Sequence, residues 1–154
     1  MIKLKTFGSF TVGNGLTSVQ EGAWRSEKLE KLFVYLAMNR NMGVCIEDIS
    51  EAIWQVEEET DNPVGALKNL AYRLRKALRD ASFGEECIVS VRGGLYKWND
   101  DVEVTIDVEE FDRYINEAEM AFCRSKETAI ESYEKAIAFT MEISCLLGQI
   151  HTGL

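Results

Sequence analysis

The first twelve residues of the chain alternate between apolar and polar positions. A period of two is typical of a β-strand. Gly8 interrupts this pattern and the sequence GNG at 13–15 follows it, and both are turn signals. We therefore expect a strand or a bulged hairpin at the N-terminus. The alternating apolar positions are Ile2, Leu4, Phe10 and Val12.

Two segments after residue 25 change to the spacing of an α-helix. Ser26 is a candidate N-cap for the first helix, and the sequence NRNMG predicts its end, with Gly43 as the stop. A shorter second helix is expected within CIEDISEAIW, residues 45–54, before the acidic loop QVEEETD. The apolar positions are Leu29, Leu32, Phe33, Leu36 and Ala37 in the first helix, and Ile46, Ile49, Ile53 and Trp54 in the second.

A third helix is expected over residues 62–79, with Asp61 or Asn62 as its N-cap and Pro63 in its first turn. Its apolar stripe covers about a third of the circumference, and the opposite face is polar and basic. No Asp or Glu occurs in residues 62–79, so these cations lack an acidic partner on the same helix. The stripe is Leu67, Leu70, Ala71, Leu74 and Leu78; the opposite face is Gly65, Asn69, Tyr72 and Lys76, flanked by Lys68, Arg73 and Arg79.

Two short β-rich runs, CIVSV and LYKW, flank the sequence RGG at 92–94. This pattern predicts a hairpin with a glycine turn, on which Arg92 and Lys97 place positive charge. Three helices followed by a hairpin, with the third helix basic, is the plan of a winged helix-turn-helix. We therefore expect an α+β fold with N-terminal strands, three helices and a hairpin wing at residues 87–98.

The pattern changes again after Thr105, where two amphipathic helices are expected around a short turn at Ser125. The spacing of small and aromatic residues in AIESYEKAI is typical of a tetratricopeptide repeat helix. One such αα-hairpin cannot cover its own apolar face. We expect a winged-helix domain at residues 1–100, a hinge at 99–105, and the two-helix N-terminal part of a TPR-like domain at 101–154.

Composition and charge narrow the class of protein. The chain has 154 residues, of which 46% are hydrophobic and 28% charged, the balance of a globular protein. No apolar run approaches the ~20 residues of a membrane span, and the N-terminus does not resemble a secretory signal, so we expect a cytoplasmic protein. The formal net charge is −9, yet residues 62–100 carry 7 basic and 4 acidic residues. This asymmetry indicates a polyanionic partner for the middle of the chain.

The sequence offers no constellation for catalysis. The cysteines, Cys45, Cys87, Cys123 and Cys145, are far apart and form no CxxC motif. The single histidine, His151, lies three residues from the end. We find no nucleophile with an adjacent base, no phosphate-binding glycine loop and no metal-ligand cluster. We therefore expect a protein that is not an enzyme and that needs no cofactor and no metal.

Taken in order, these motifs resemble the N-terminal part of SARP-type bacterial transcriptional activators. That family joins an OmpR-type winged-helix domain to a bacterial transcriptional activator domain (BTAD) of TPR-like helices. The resemblance covers nearly the whole chain, although the activator domain of the family is usually much longer than the segment present. It rests on FGSFTV (7–12), WRSEKLEKLFVYLA (24–37), EDISEAIW (47–54), LKNLAYRLRKAL (67–78), VRGGLYKW (91–98) and IDVEEFDRYINEAE (106–119).

The resemblance implies sequence-specific binding of double-stranded DNA, with helix 62–79 in the major groove and the wing on the backbone. An activator of this kind would also contact RNA polymerase, and the uncovered apolar stripes favour a homodimer through the C-terminal helices. Alternatively, the basic helix is a docking face for an acidic protein partner. The residues expected to bind DNA are Lys68, Asn69, Tyr72, Arg73, Arg75, Lys76, Arg79, Arg92 and Lys97.

Overall fold

The structure, a computed structural model, describes residues 1–54, 62–83, 87–91 and 93–151. It confirms a mixed α+β fold. Within the described residues there are five helices and six strands. In chain order they are β1 Ile2–Lys5, β2 Thr11–Gly13, β3 Ser18–Gln20, α1 Glu27–Met38, α2 Ile46–Ile53, α3 Pro63–Asp80, β4 Ile88–Val91, β5 Leu95–Trp98, β6 Val104–Ile106, α4 Asp107–Phe122 and α5 Lys126–His151.

The strands form two sheets. One has four strands in the order β3-β2-β1-β6, and the other is the hairpin of β4 and β5. The N-terminal strand pair was predicted, whereas β3 and β6 were not. The turn that joins β2 to β3 is held by Asn14, whose side-chain oxygen accepts hydrogen bonds from the backbone N–H groups of Leu16 and Thr17 at 2.9 and 2.8 Å. Gly15 in this turn has a φ of +87°, a conformation that favours glycine.

The chain divides into two compact units. The first comprises Met1–Ile2 and Val12–Val104, and the second comprises Lys3–Thr11 and Thr105–Leu154. The sequence analysis did not assign residues 3–11 to the second unit. The domain limits of 1–100 and 101–154 stay a prediction. Within the expected hinge, residues 99–105, the chain makes a turn in which the Val102 N–H donates to the Asn99 carbonyl at 3.0 Å, and β6 then begins at Val104.

The first unit is built around the buried faces of α1, α2 and α3. The apolar positions predicted for α1 and α3 are all buried, as are Ile49 and Ile53 of α2. Phe33 packs edge to face on Trp98, with ring centroids 5.4 Å apart, and this contact joins α1 to the hairpin. The Trp98 indole N–H donates to the Val102 carbonyl at 2.7 Å, which satisfies its buried polar atom.

The sequence NRNMG follows the end of the first helix as predicted, since α1 ends at Met38 with Asn39 as its C-cap, but Gly43 is not the stop. Two side chains just beyond Met38 cap the C-terminal end of α1. The Asn39 amide donates to the Tyr35 carbonyl at 2.8 Å, and Arg40 donates to the Ala37 carbonyl at 3.2 Å. They satisfy carbonyls that a helix end leaves without partners. Gly43 instead allows close approach to β5, since a Cβ atom there would lie 3.2 Å from Leu95 Cδ1.

The predicted N-caps have different outcomes. Ser26 is the N-cap of α1, but its side chain makes no capping hydrogen bond. Asn62 is the N-cap of α3 and its side chain does cap the helix, and Pro63 occupies the first turn, as predicted. The acidic loop and Asp61, the other candidate cap, lie outside the described residues.

The second unit contains the two predicted C-terminal helices. Buried alanines allow α4 and α5 to pack closely: Ala118 on one helix, and Ala129 and Ala136 on the other. The turn between them is closed by the Ser125 N–H, which donates to the Ala121 carbonyl at 2.8 Å. Several large apolar side chains remain exposed on these helices, namely Met120, Phe122, Ile130, Tyr133 and Ile137.

Asp107 connects the N-terminal segment of the second unit to the start of α4. Its carboxylate is only 8% exposed. It accepts hydrogen bonds from the backbone N–H groups of Thr6 and Phe7 at 2.9 and 3.0 Å, and from the Thr6 hydroxyl at 2.9 Å. Phe7 also packs edge to face on Phe111, with ring centroids 5.4 Å apart.

Candidate nucleic-acid interface

The basic helix α3 is fixed in place by its buried stripe and by its two ends. At the N-terminus the Asn62 side-chain oxygen accepts from the Gly65 N–H at 2.9 Å. Beyond the C-terminus, the Phe83 N–H donates to the Leu78 carbonyl at 3.0 Å, and Phe83 itself is buried. A helix held in this way presents its outer face in one orientation within the first unit.

Glycine at position 65 leaves room for the Asn62 side chain that caps α3. A Cβ atom at Gly65 would lie 2.6 Å from the Asn62 Nδ2 atom, closer than real Cβ contacts allow. Because Gly65 has no side chain, nothing projects from the helix surface at this position in the first turns of α3. Another molecule can therefore approach the backbone closely at this point.

The outer face of α3 is basic and open to solvent. Among the described residues, no hydrogen bond or ion pair engages the side chains of the cations on this face. Their charges are therefore free to meet an anionic partner. Six of the predicted site residues lie here and are exposed: Lys68, Asn69, Tyr72, Arg73, Lys76 and Arg79.

Arg75 is placed differently, at the border between the outer face and the buried stripe, and is half-buried. Its Nε donates to the Ile88 carbonyl at 3.1 Å and its Nη2 donates to the Ser90 hydroxyl at 2.9 Å, both on β4. The guanidinium therefore joins α3 to the hairpin. It positions these two elements, with part of its donor capacity already used by the protein itself.

The hairpin is itself well anchored. Its two strands pair antiparallel, with Ile88 opposite Trp98 and Val91 opposite Leu95. Tyr96 of β5 also exchanges two backbone hydrogen bonds with Val44, at 2.8 and 2.9 Å. This anchoring fixes the hairpin against the segment between α1 and α2.

The two cations predicted on the hairpin are not equally well defined. Arg92 lies outside the described residues, while Gly93 and Gly94 of the same turn have φ values of +91° and +77° that favour glycine. Lys97 is half-buried, and its ammonium forms an ion pair with Asp100 at 2.6 Å. Its positive charge is therefore partly compensated within the protein.

Two exposed residues on these elements were missed by the sequence analysis. Val64, in the first turn of α3, is 42% exposed although it belongs to no polar pattern. Ser90, the partner of Arg75, is exposed on β4. The exposure of Val64 could have been predicted from its position on the helix, because it lies to one side of the apolar stripe. No local signal identifies Ser90, since its partner is 15 residues away.

Two of the tryptophans, Trp54 and Trp98, pack within the first unit. Trp98 is buried in the core of the first unit. Trp54 follows α2 and is half-buried, with the Lys28 ammonium 5.8 Å from its ring centre, a cation–π contact. Base stacking would need an exposed ring face, which Trp98 does not offer.

The described residues contain no group of three or more His, Cys, Asp or Glu side chains that could hold a metal ion. The thiol of Cys87 is buried, and burial raises its pKa above the usual value. A thiol with a raised pKa is a poor nucleophile at neutral pH. In the described part of the chain, no helix combines the length and the apolar composition needed to cross a membrane.

The fold is of the α+β class, and its helix α3 carries a basic face beside a small hairpin. Neither the known family models nor the curated proteins contain a match to the chain. A solved structure, Mycobacterium tuberculosis EmbR in complex with a low-affinity phosphopeptide, is similar in fold, with a TM-score of 0.69 and 18% sequence identity. The similarity covers 93% of this chain but only 38% of the EmbR chain. At this level of identity the similarity concerns the fold, and it agrees with the mixed α+β fold that the sequence predicted.

Proposed function

We propose that the chain binds double-stranded DNA in a sequence-specific manner and thereby regulates transcription. In this proposal the first unit is a winged helix-turn-helix, with α3 as the recognition helix and the β4–β5 hairpin as the wing. The observation that carries the proposal is the outer face of α3: it is exposed, basic and without acidic residues before Asp80, in a chain whose net charge is −9.

The dimensions of α3 support this assignment. An α-helix with its side chains is about 10–12 Å wide, and the major groove of B-DNA is about 12 Å wide. With α3 in the groove, Asn69 can form two hydrogen bonds with an adenine edge, and Lys68, Arg73 or Lys76 can reach guanine or phosphate. Arg79, near the C-terminal end of α3, suits a phosphate contact.

The wing contributes in two ways. Arg75 holds it beside α3 through the two hydrogen bonds to β4. Arg92, which lies outside the described residues, is assigned by its position in the sequence to the DNA backbone, with Lys97 as a second cation of the wing. Contacts of this type position the protein on the duplex without reading sequence.

The helices α4 and α5 fit the start of a TPR-like activator domain. Their exposed apolar side chains suit either a homodimer through these helices or contact with a further protein such as RNA polymerase. The chain spans 38% of the length of the EmbR chain, so the activity of a whole protein of that length is part of the proposal. We propose a binding function without catalysis.

A docking face for an acidic protein is the alternative use of the same cations. The EmbR structure contains a bound phosphopeptide, which is a property of that complex. The two functions differ in what they require of the partner. A protein partner would bind independently of any duplex, whereas a DNA reader selects particular base sequences.

Selection of duplexes from a random pool by the full chain tests the proposal. We expect enrichment of a defined sequence, which Asn69→Ala broadens while the matched control Asn116→Ala leaves it unchanged. Asn116 is exposed on α4 and lies outside the proposed interface. Recovery of an unselected pool by the folded chain would contradict sequence-specific binding and favour the docking face.

A further inference from the structure

Two exposed side chains with apolar surface lie on or beside the basic face of α3. Val64 is 42% exposed and Tyr72 is 66% exposed. Neither contributes to the buried stripe, because the stripe is supplied by five other residues of the helix. Exposure of their apolar surface to water is unfavourable in the unbound protein, and it does not stabilise α3.

These residues lie on one line along the helix. Val64, Lys68, Tyr72 and Lys76 follow each other at intervals of four residues. Side chains four apart are neighbours on a helix surface and form a continuous ridge. The ridge therefore alternates apolar, basic, apolar, basic.

In the major groove, the apolar feature of a base edge is the 5-methyl group of thymine. A cation matches the acceptors of guanine or a phosphate. The alternating ridge therefore matches a base sequence in which thymines occur on both sides of a contact made by Lys68. Val64 belongs to the N-terminal end of α3, the part of a recognition helix that reaches base edges in helix-turn-helix proteins.

The spacing of the two apolar residues can be converted into base pairs. Eight residues of helix span about 12 Å. Because a helix in the major groove is inclined to the duplex axis, this length is an upper limit for the rise between the two contacts, about four base pairs at about 3.4 Å per base pair. Two methyl contacts of this kind would read thymines within that separation.

We propose that Val64 and Tyr72 determine part of the binding specificity, by contacting the methyl groups of two thymines that lie within about four base pairs of each other. This inference rests on the proposed function. It adds a class of target, sites with two thymines within that separation, to the general assignment of DNA binding. It also assigns a role to Val64, which the charge pattern of α3 does not explain.

Replacement of single thymines by uracil in the selected duplex tests the inference, because uracil lacks only the methyl group. We expect two positions, within about four base pairs of each other, at which the full chain loses about fourfold in affinity, the value of one buried methyl-sized group. Val64→Ala should abolish the effect at one position and keep it at the other. Tyr72→Ala should show the reverse pattern, and Tyr72→Phe should keep both effects because its ring remains.

Met38→Ala is the matched control. Met38 is 48% exposed, close to the value for Val64, but it is the last residue of α1 and lies outside the proposed interface. This variant should keep the full response to uracil at both positions. The inference is overturned if the chain binds its duplex and no methyl group matters, or if Val64→Ala responds to uracil like the unchanged chain. Failure of the unchanged chain to bind any duplex would instead contradict the proposed function itself, and the inference with it.

Discussion

Arg75 of α3 donates a hydrogen bond to the hydroxyl of Ser90 on β4, at 2.9 Å. A second bond, from Arg75 Nε to the Ile88 carbonyl at 3.1 Å, fixes the direction of the guanidinium. The helix α3 and the hairpin, which we assign to DNA binding, are thus joined by Arg75. This residue is among those that the sequence predicts to bind DNA. Arg75 therefore acts first on the arrangement of the interface.

Arg75→Ala should lower the free energy of unfolding by about 1 kcal/mol, because it removes two hydrogen bonds from a half-buried guanidinium. Arg73→Ala is the matched control, since Arg73 is exposed on the same helix and no hydrogen bond or ion pair holds its side chain among the described residues. We expect it to change stability by less than about 0.5 kcal/mol. Urea denaturation of the three chains measures both values. Equal stability of the two variants would show that the Arg75 contacts contribute nothing.

Asn62→Ala should destabilise the chain by about 1 kcal/mol, since the side chain caps α3 through the Gly65 N–H at 2.9 Å. Ser26→Ala is the comparison. Ser26 occupies the N-cap of α1 without a capping hydrogen bond, so its loss should have little effect. Thermal unfolding followed by circular dichroism distinguishes the two. A larger loss for Ser26→Ala would contradict the assignment of the caps.

Asp107→Ala should be the most destabilising of these changes, at about 2–3 kcal/mol. It leaves the N–H groups of Thr6 and Phe7 without their carboxylate partner. Thr6→Val removes only the hydroxyl bond to the same carboxylate and should cost about 1 kcal/mol. Denaturant midpoints for the two variants test this order. A reversed order would mean that the backbone contacts of Asp107 are not the important ones.

Much of the first unit could be predicted from the sequence, because its helices and hairpin have strong local patterns. The stripe of α3, from Leu67 to Leu78, is buried as its spacing indicates. The exposed cations of α3 follow from the same pattern. The assignment of these cations to DNA remains a prediction.

The parts that could not be predicted depend on contacts between residues far apart in the chain. Asp107 accepts hydrogen bonds from Thr6, 101 residues away, and nothing in either local sequence indicates the pairing. The strand β3, Ser18–Gln20, is three residues long and too short to show a period of two. The hydrogen bonds of Arg75 to β4 were not predicted for a related reason, since a helix pattern does not reveal what lies beside the helix.

The central claim is that the outer face of α3 binds DNA through its charges and reads sequence through Asn69. Binding of the full chain to its selected duplex, measured over a range of salt concentrations, tests this claim most directly. Arg79→Ala should reduce the slope of log affinity against log salt by about 0.9, because one phosphate contact is lost. Asn69→Ala should keep the slope and lose about 1–3 kcal/mol on the selected site alone. A folded chain that binds no duplex even at low salt would contradict the claim.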